Sequence, residues 1–217
     1  MKKKNKIYAI VPARGGSKGI KNKNLKKINN KSLIQITSEF IDKSNLFDGK
    51  IISSDSEKIL NHAKKLNFDL IKRPKNLSGD RISDFEVIKH CLEKFEKKKL
   101  PDYIVYLQPT SPIRKIDHLR KTLNIVIKKK YNSSWSVTKI DKKFHPLKIL
   151  KIKKDTLELY LSLGKKIIAR QMLNSIFIRN GIFYIFKVKQ LLKKKTIYLE
   201  KTYSSITYYQ SVNIDTI

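Results

Sequence analysis

Residues 7–24 read IYAIVPARGGSKGIKNKN. An apolar run from Ile7 to Ala13 passes directly into a glycine-rich, cationic loop, the arrangement by which open α/β sheets hold ligands beyond the carboxyl ends of their strands. Gly15, Gly16 and Gly19 let backbone N–H groups come close to a phosphate, and Arg14, Lys18 and Lys23 can neutralise it. The spacing fits neither GxxxxGK(S/T) nor GxGxxG, which disfavours a P-loop ATPase and a dinucleotide site. Glycines alone would suit an ordinary basic βα turn. Three cations beside three glycines make a triphosphate cradle an equally good reading.

Outward from this loop, short apolar runs alternate with amphipathic segments over the first 130 residues, the pattern of a parallel sheet covered by helices. Strands are expected at 7–13, 50–54, 68–72 and 103–107. Between them, Leu33, Ile36 and Phe40 form one helical face, Ile59, Ala63 and Leu66 a second, and Phe85, Ile88 and Leu92 a third. Leu119, Leu123 and Val126 or Ile127 continue the rhythm. After Ser133 the period changes to alternation in SSWSVTKI, KILKIKK and TLELYLSL, which predicts strands and a hairpin turning near Lys154–Asp155. A strand at 181–186 and a helix in VKQLLKK follow. The expectation is an α/β fold with a mostly parallel, doubly wound sheet in one domain, 1–217, and an excursion from it at about 139–178.

The formal charge is +31, from 49 Lys and Arg against 18 Asp and Glu. A nucleic-acid partner would use such a charge, but only seven of the 49 cations are Arg and Lys is spread over nearly every segment. That composition suits weak, nonspecific attachment better than a reading face. Cys91 is the only cysteine, so no intramolecular disulfide forms, and its place in EVIKHCLEKF suggests a small buried side chain. The opening MKKKNKIYAIVPAR has too short an apolar core for a secretory signal, and no stretch is long enough to span a bilayer. A cytoplasmic protein without a membrane partner is expected.

The loop at 13–24 resembles the ARGGSKGIKxKN signature of the acylneuraminate cytidylyltransferases, the CMP-sialic acid synthetase family. Further matches follow in family order: IISSD at 51–55, RPxxLSGD at 73–80, LQPTSPIR at 107–114, HPLK at 145–148, RQ at 170–171, NGxFYI at 180–185 and NID at 213–215. The resemblance implies a nucleotidyltransferase that moves CMP from CTP to the anomeric hydroxyl of a sialic-acid-type sugar, releasing pyrophosphate. Legionaminic, pseudaminic or eight-carbon acids are its alternative acceptors.

Carried over by resemblance, Arg14, Gly15, Gly16, Ser17 and Lys23 hold the phosphates, with Asn24 near the ribose. Arg73 and the Ile82–Ser83 backbone face cytosine. On residue type alone, Arg73 reads instead as a surface arginine before Pro74. QPTSPIR, with two prolines, is a stiff loop at the same sheet edge; by resemblance Gln108 and Thr110 bond the acceptor. Lys148, Arg170, Asn180 and Tyr184 line the sugar pocket, some across a homodimer interface, with Arg170 the expected carboxylate partner. The family's Asp-x-Asp pair for Mg²⁺ reads Asn213-Ile214-Asp215 here, which removes one negative charge and should lower metal affinity. Arg14, Lys23 and Asp215 are the expected catalytic set. No histidine shows metal or triad spacing.

Overall fold

The structure, a computed structural model, describes residues 5–16, 19–20, 22–96 and 99–214. The chain begins with β1 (Ile7–Pro12), a small ribbon of β2 (Lys27–Ile28) and β3 (Lys31–Ser32), and α1 (Leu33–Ser44). Then come β4 (Gly49–Ser54), α2 (Glu57–Lys64), β5 (Asp69–Lys72), α3 (Asp84–Leu92), β6 (Tyr103–Tyr106) and α4 (Ile116–Lys128). The second half contains β7 (Ser133–Lys139), the hairpin β8 (Leu150–Lys153) and β9 (Thr156–Leu159), β10 (Phe177–Lys187), α5 (Val188–Lys194) and β11 (Thr202–Ile206).

Seven strands form one sheet in the order β11-β7-β10-β6-β1-β4-β5. β1 pairs in parallel with β4 and β6, and β4 with β5, whereas β10 runs antiparallel between β6 and β7. Strands buried on both faces need continuous apolar runs, and β1 and β6 supply them. Alternate side chains of β1 then enter different cores. Ala9 and Val11 pack with Ile34, Phe40, Ile59 and Leu123 of α1, α2 and α4. Ile10 packs with Ile88, Cys91 and Leu191 of α3 and α5. Helices on both faces make the sheet doubly wound, as expected. Cys91 is fully buried, and desolvation pushes its thiol up to about 11.

Several elements differ in detail from the sequence reading. The buried face of α1 is Leu33, Ile34, Thr37, Phe40 and Ile41 rather than one including Ile36. β10 starts at Phe177, four residues before Gly181, because the irregular stretch between Arg179 and Tyr184 lets one strand continue through a break in register. β9 stops at Leu159, where the chain enters a short 3-10 turn over Ser162–Lys166 instead of extending the alternation. The hairpin turn lies at the expected place, with Lys154 in the left-handed region at φ 53°.

Candidate active site

Strand order reverses direction at β1: β4 and β5 lie on one side, β6 on the other. The loops after β1 and β6 therefore diverge, and such a crevice is where open α/β sheets receive ligands. A cavity of about 370 Å³ occupies it. Arg14, Lys23 and Asn24 reach it from the loop after β1, and Arg73, Asp80 and Ile82 from the segment after β5. Tyr106, Gln108 and Thr110 close the β6 side, and Asn213 joins them.

The loop after β1 is built by local contacts. Asp55, at the end of β4, accepts a 2.8 Å hydrogen bond from the Gly15 N–H. A Cβ on Gly15 would lie 2.8 Å from the Ser56 Cβ, so glycine is what allows this approach. The Gly15 amide thus fastens the loop, and neither Gly15 nor Gly16 lines the cavity. Asn24, 6% exposed, donates to the Arg14 carbonyl at 3.0 Å and holds the loop's far end. Arg14 Nη1 lies 2.5 Å from Asp80 Oδ1, joining the two loops across the mouth. Ser17 and Asp215 lie outside the described residues.

Arg73 is not a surface residue. Its N–H donates to the Ser54 carbonyl at 2.8 Å, extending the β4–β5 pairing, and the side chain is carried inward to 6% exposure. Its Nε has no hydrogen-bond partner among the described residues. A largely buried cation on a cavity wall suits a polar or anionic ligand. Next to it, Ser83 caps α3 through a capping box with Glu86, so its hydroxyl and amide serve the helix while Ile82 faces the cavity. Asp84 accepts from the Tyr106 hydroxyl at 3.0 Å. Burial, together with Asp84, pushes the Tyr106 phenol well up, keeping it a protonated donor.

A second cavity, about 350 Å³, shares Asp84, Gln108 and Asn213 with the first and extends between β6 and β10. Arg179, Asn180 and Tyr184 line it. The stiff loop after β6 is locked by Arg114, which donates to the Ile182 carbonyl at 2.8 Å and also to the Gln108 carbonyl. Burial pulls this guanidinium down to about 9, so it remains a cation at neutral pH. Gly181 has φ 73°, and a Cβ there would lie 2.6 Å from both Gln108 Oε1 and Ser111 Oγ. Tyr184 accepts from the Gly181 N–H at 3.0 Å, and burial raises its pKa. The Asn180 amide is engaged by the protein itself: Oδ1 accepts from Ser136 and the Ile182 N–H, and Nδ2 donates to Thr138 and Thr207. Its geometry is that of a brace for β10.

Lys148 and Arg170 are not brought to either cavity within one chain. Both sit in short turns of the excursion, where Arg170 pairs with Asp141 at 3.1 Å and its side chain is 66% exposed. The Lys143 amide, reinforced by Arg170, holds the Asp141 carboxyl below its usual range. The sequence reading assigned no role to Arg114, Asp80, Asp84 or Arg179, although QPTSPIR contained Arg114 and LSGD contained Asp80.

For a divalent cation, the described residues contain no group of three His, Cys, Asp or Glu side chains. Mg²⁺ commonly takes only one or two protein carboxylates and fills its sphere with water and phosphate oxygens. Asn213 and Asp84, both on the wall shared by the two cavities, are oxygen donors that suit such a site.

The family described as cytidylyltransferase matches residues 8–215, nearly the whole chain. The chain belongs to this cytidylyltransferase family. Among curated relatives, it is 37% identical over 142 residues to an N-acylneuraminate cytidylyltransferase of Escherichia coli O18:K1:H7, covering 64% of this chain and 33% of that protein. It is 26% identical to the N-acylneuraminate cytidylyltransferase of Streptococcus agalactiae serotype V, covering 97% of this chain and 51% of the relative. The chain therefore spans a third to a half of the length of these two relatives. A Legionella pneumophila CMP-N,N'-diacetyllegionaminic acid synthase is 28% identical, with 97% and 91% of the two chains covered. Among solved structures, a CMP:2-keto-3-deoxy-manno-octonic acid synthetase complexed with CTP superposes with a TM-score of 0.70 at 14% identity, covering 97% of this chain and 93% of that one. That likeness bears on the fold alone. No helix among the described residues is long and apolar enough to cross a membrane.

Proposed function

We propose that residues 1–217 form one cytidylyltransferase domain that transfers CMP from CTP to the anomeric hydroxyl of a sialic-acid-type nonulosonic acid. The observation that carries this reading is the pair of joined cavities at the β1/β6 crevice. One is edged by Arg14, Lys23 and buried Arg73, and Gln108 lines both. Support comes from relatives named for N-acylneuraminate and legionaminic acid substrates.

In this reading Arg14 and Lys23 stabilise the triphosphate, Asn24 fixes the loop beside the ribose, and Arg73 with the Ile82 backbone receives cytosine. Ser17 completes the phosphate contacts. The hydroxyl oxygen bonds to the α-phosphorus as the bond to the β-phosphate oxygen breaks. Pyrophosphate leaves with the electron pair, and the hydroxyl proton is released. No covalent enzyme intermediate is needed, so the chain's contribution is alignment and charge neutralisation. Gln108 and Thr110 orient the acceptor against Tyr184, and Asn180 holds the β10 wall in place. Mg²⁺, when bound by Asn213 and Asp215 with the triphosphate, supplies charge neutralisation on the leaving group.

The excursion exposes apolar side chains that a lone chain would keep buried, with Ile152 77%, Leu157 67% and Ile168 92% exposed. Such a patch fits a homodimer whose second copy brings Lys148 and Arg170 to the rim of the sugar cavity. Sedimentation at twice the chain mass is expected, and monomers at micromolar concentration would contradict it. A cytoplasmic location fits a CTP-dependent reaction. The deciding experiment measures pyrophosphate release with CTP, Mg²⁺ and a panel of nonulosonic acids. Release with N-acetylneuraminic acid is expected. Release only with legionaminic or pseudaminic acid would redirect the substrate, and release with none would remove the activity. In the same assay Asn213→Asp should lower the Mg²⁺ concentration needed for half-maximal rate.

A further inference from the structure

An acidic sugar can leave water for the second cavity only if a cation meets its carboxylate. Among the described residues that line this cavity, Arg179 is the one cation. Its position follows from the break in β10. Arg179 is the last residue in register with β7 before the irregular stretch through Gly181, after which pairing resumes at Tyr184. The side chain is aimed and held by aromatic rings: its guanidinium carbon lies 5.0 Å from the Trp135 ring centre and 5.7 Å from that of Tyr198. Those rings meet edge to face at 5.2 Å.

Arg179 is an exposed residue, and resting its guanidinium against two rings removes part of the rotational freedom that binding would otherwise take. No carboxylate among the described residues pairs with it, in contrast to Arg170, which already has Asp141. Asp84, on the same cavity wall, accepts from Tyr106. Arg179 also borders a neighbouring cavity walled by Phe85, Ile197 and Tyr198, so it stands at the end of the acceptor space away from Arg14.

We propose that Arg179 receives the acceptor's carboxylate as a bidentate pair and makes this site select an acidic sugar over a neutral one. The inference rests on the cytidylyl-transfer reading of the same site and replaces Arg170 as the carboxylate partner. The planar fork matches a carboxylate in a way that a lysine does not.

The test compares N-acetylneuraminic acid with its neutral methyl ester, in two measurements on the full chain. In turnover with CTP and Mg²⁺, Arg179→Gln should raise the acid's KM by about 10- to 100-fold, the range of a lost charge-assisted pair. It should also abolish the preference of acid over ester. Arg179→Lys should recover part of both, and the Kd for CTP should stay within about twofold in each variant. Arg170→Gln should leave the acid-over-ester preference in place. Direct binding of acid and ester to the CTP-loaded, metal-free protein, read by ligand-observed NMR, follows the same contrast without turnover. Binding that depends on Arg179 without pyrophosphate release would sink the activity while sustaining the carboxylate assignment. Pyrophosphate release with an unchanged acid preference in Arg179→Gln, or a preference lost only in Arg170→Gln, overturns the assignment. No binding of the acid by the wild-type chain removes both.

Discussion

Arg73 carries a buried Nε with no hydrogen-bond partner among the described residues, and Gly181 holds a positive φ against Gln108 and Ser111. Before Pro74, Arg73 looks like a solvated side chain; its burial arises because β5 pairs with β4 and delivers residue 73 under α3, a tertiary consequence with no local signature. Arg179 was invisible for a similar reason. In FIRNG it resembles the polar half of an alternating strand; that it is the last residue paired with β7 before the register break and lines a cavity is visible only in the fold. That the loop after β1 is glycine-rich, cationic and set at a strand end was legible from residue types alone; that the Gly15 amide is spent on Asp55 was not. At Gly181, two costs coincide: a positive φ and oxygen atoms 2.6 Å from any added Cβ. Gly181→Ala should therefore lower stability by about 1–3 kcal/mol from backbone strain alone. Displacing Gln108 should also raise the acceptor KM more than the CTP Kd. Equal stability with unaltered KM would mean that the β10 wall is softer than described.

At the scale of elements, the parallel half of the sheet could be read because β1 and β6 carry near-continuous apolar runs and β4 a buried Ile51–Ile52 pair, and α4 because Leu119, Leu123 and Val126 form one buried face. β11 was missed. Its inward residue Ser205, like Thr207 just beyond the strand, is polar, and each is satisfied by a side-chain partner, His118 or Asn180, so hydrophobic periodicity had nothing to detect. The start of α3 connects element to site, since Ile82 and Asp84 flank the capping residue Ser83. Ser83→Ala should cost about 1 kcal/mol in chemical denaturation through the lost cap. It should also weaken CTP binding, because the first turn no longer fixes the cavity wall. Weaker CTP binding with undiminished stability would place Ser83 in ligand contact rather than in capping.

For the whole molecule, the +31 charge is dispersed, and the cavity uses a few cations placed by strand ends. Nonspecific nucleic-acid retention at low salt should vanish steeply as salt rises, leaving CTP binding in place. Stability should depend on pH through the histidines. Burial, aided by Lys121, lowers the pKa of His118, which bonds Ser205 at 2.7 Å and Tyr209 at 3.3 Å, with Lys115 over the Tyr209 ring. His62 beside Ser32 is lowered in the same way by burial, Lys65 and Lys27. Groups depressed in the folded state bind protons more readily when unfolded, so their stability is complete above the unfolded value of about 6.5 and is lost as pH falls below it. The melting temperature should drop between pH 7.5 and 5.5, and His118→Gln should flatten the slope. An unchanged slope would dissociate His118 from the effect. The central claim, that the loop after β1 and buried Arg73 together grip a cytidine triphosphate, is tested most directly by calorimetric titration of CTP. The wild-type chain should bind one CTP per chain and prefer it to ATP. Arg14→Gln with Lys23→Gln should weaken CTP at least about tenfold, as loss of charge-assisted contacts requires, and Arg73→Gln should erase the preference over ATP. Equal CTP affinity in all three proteins would contradict the account.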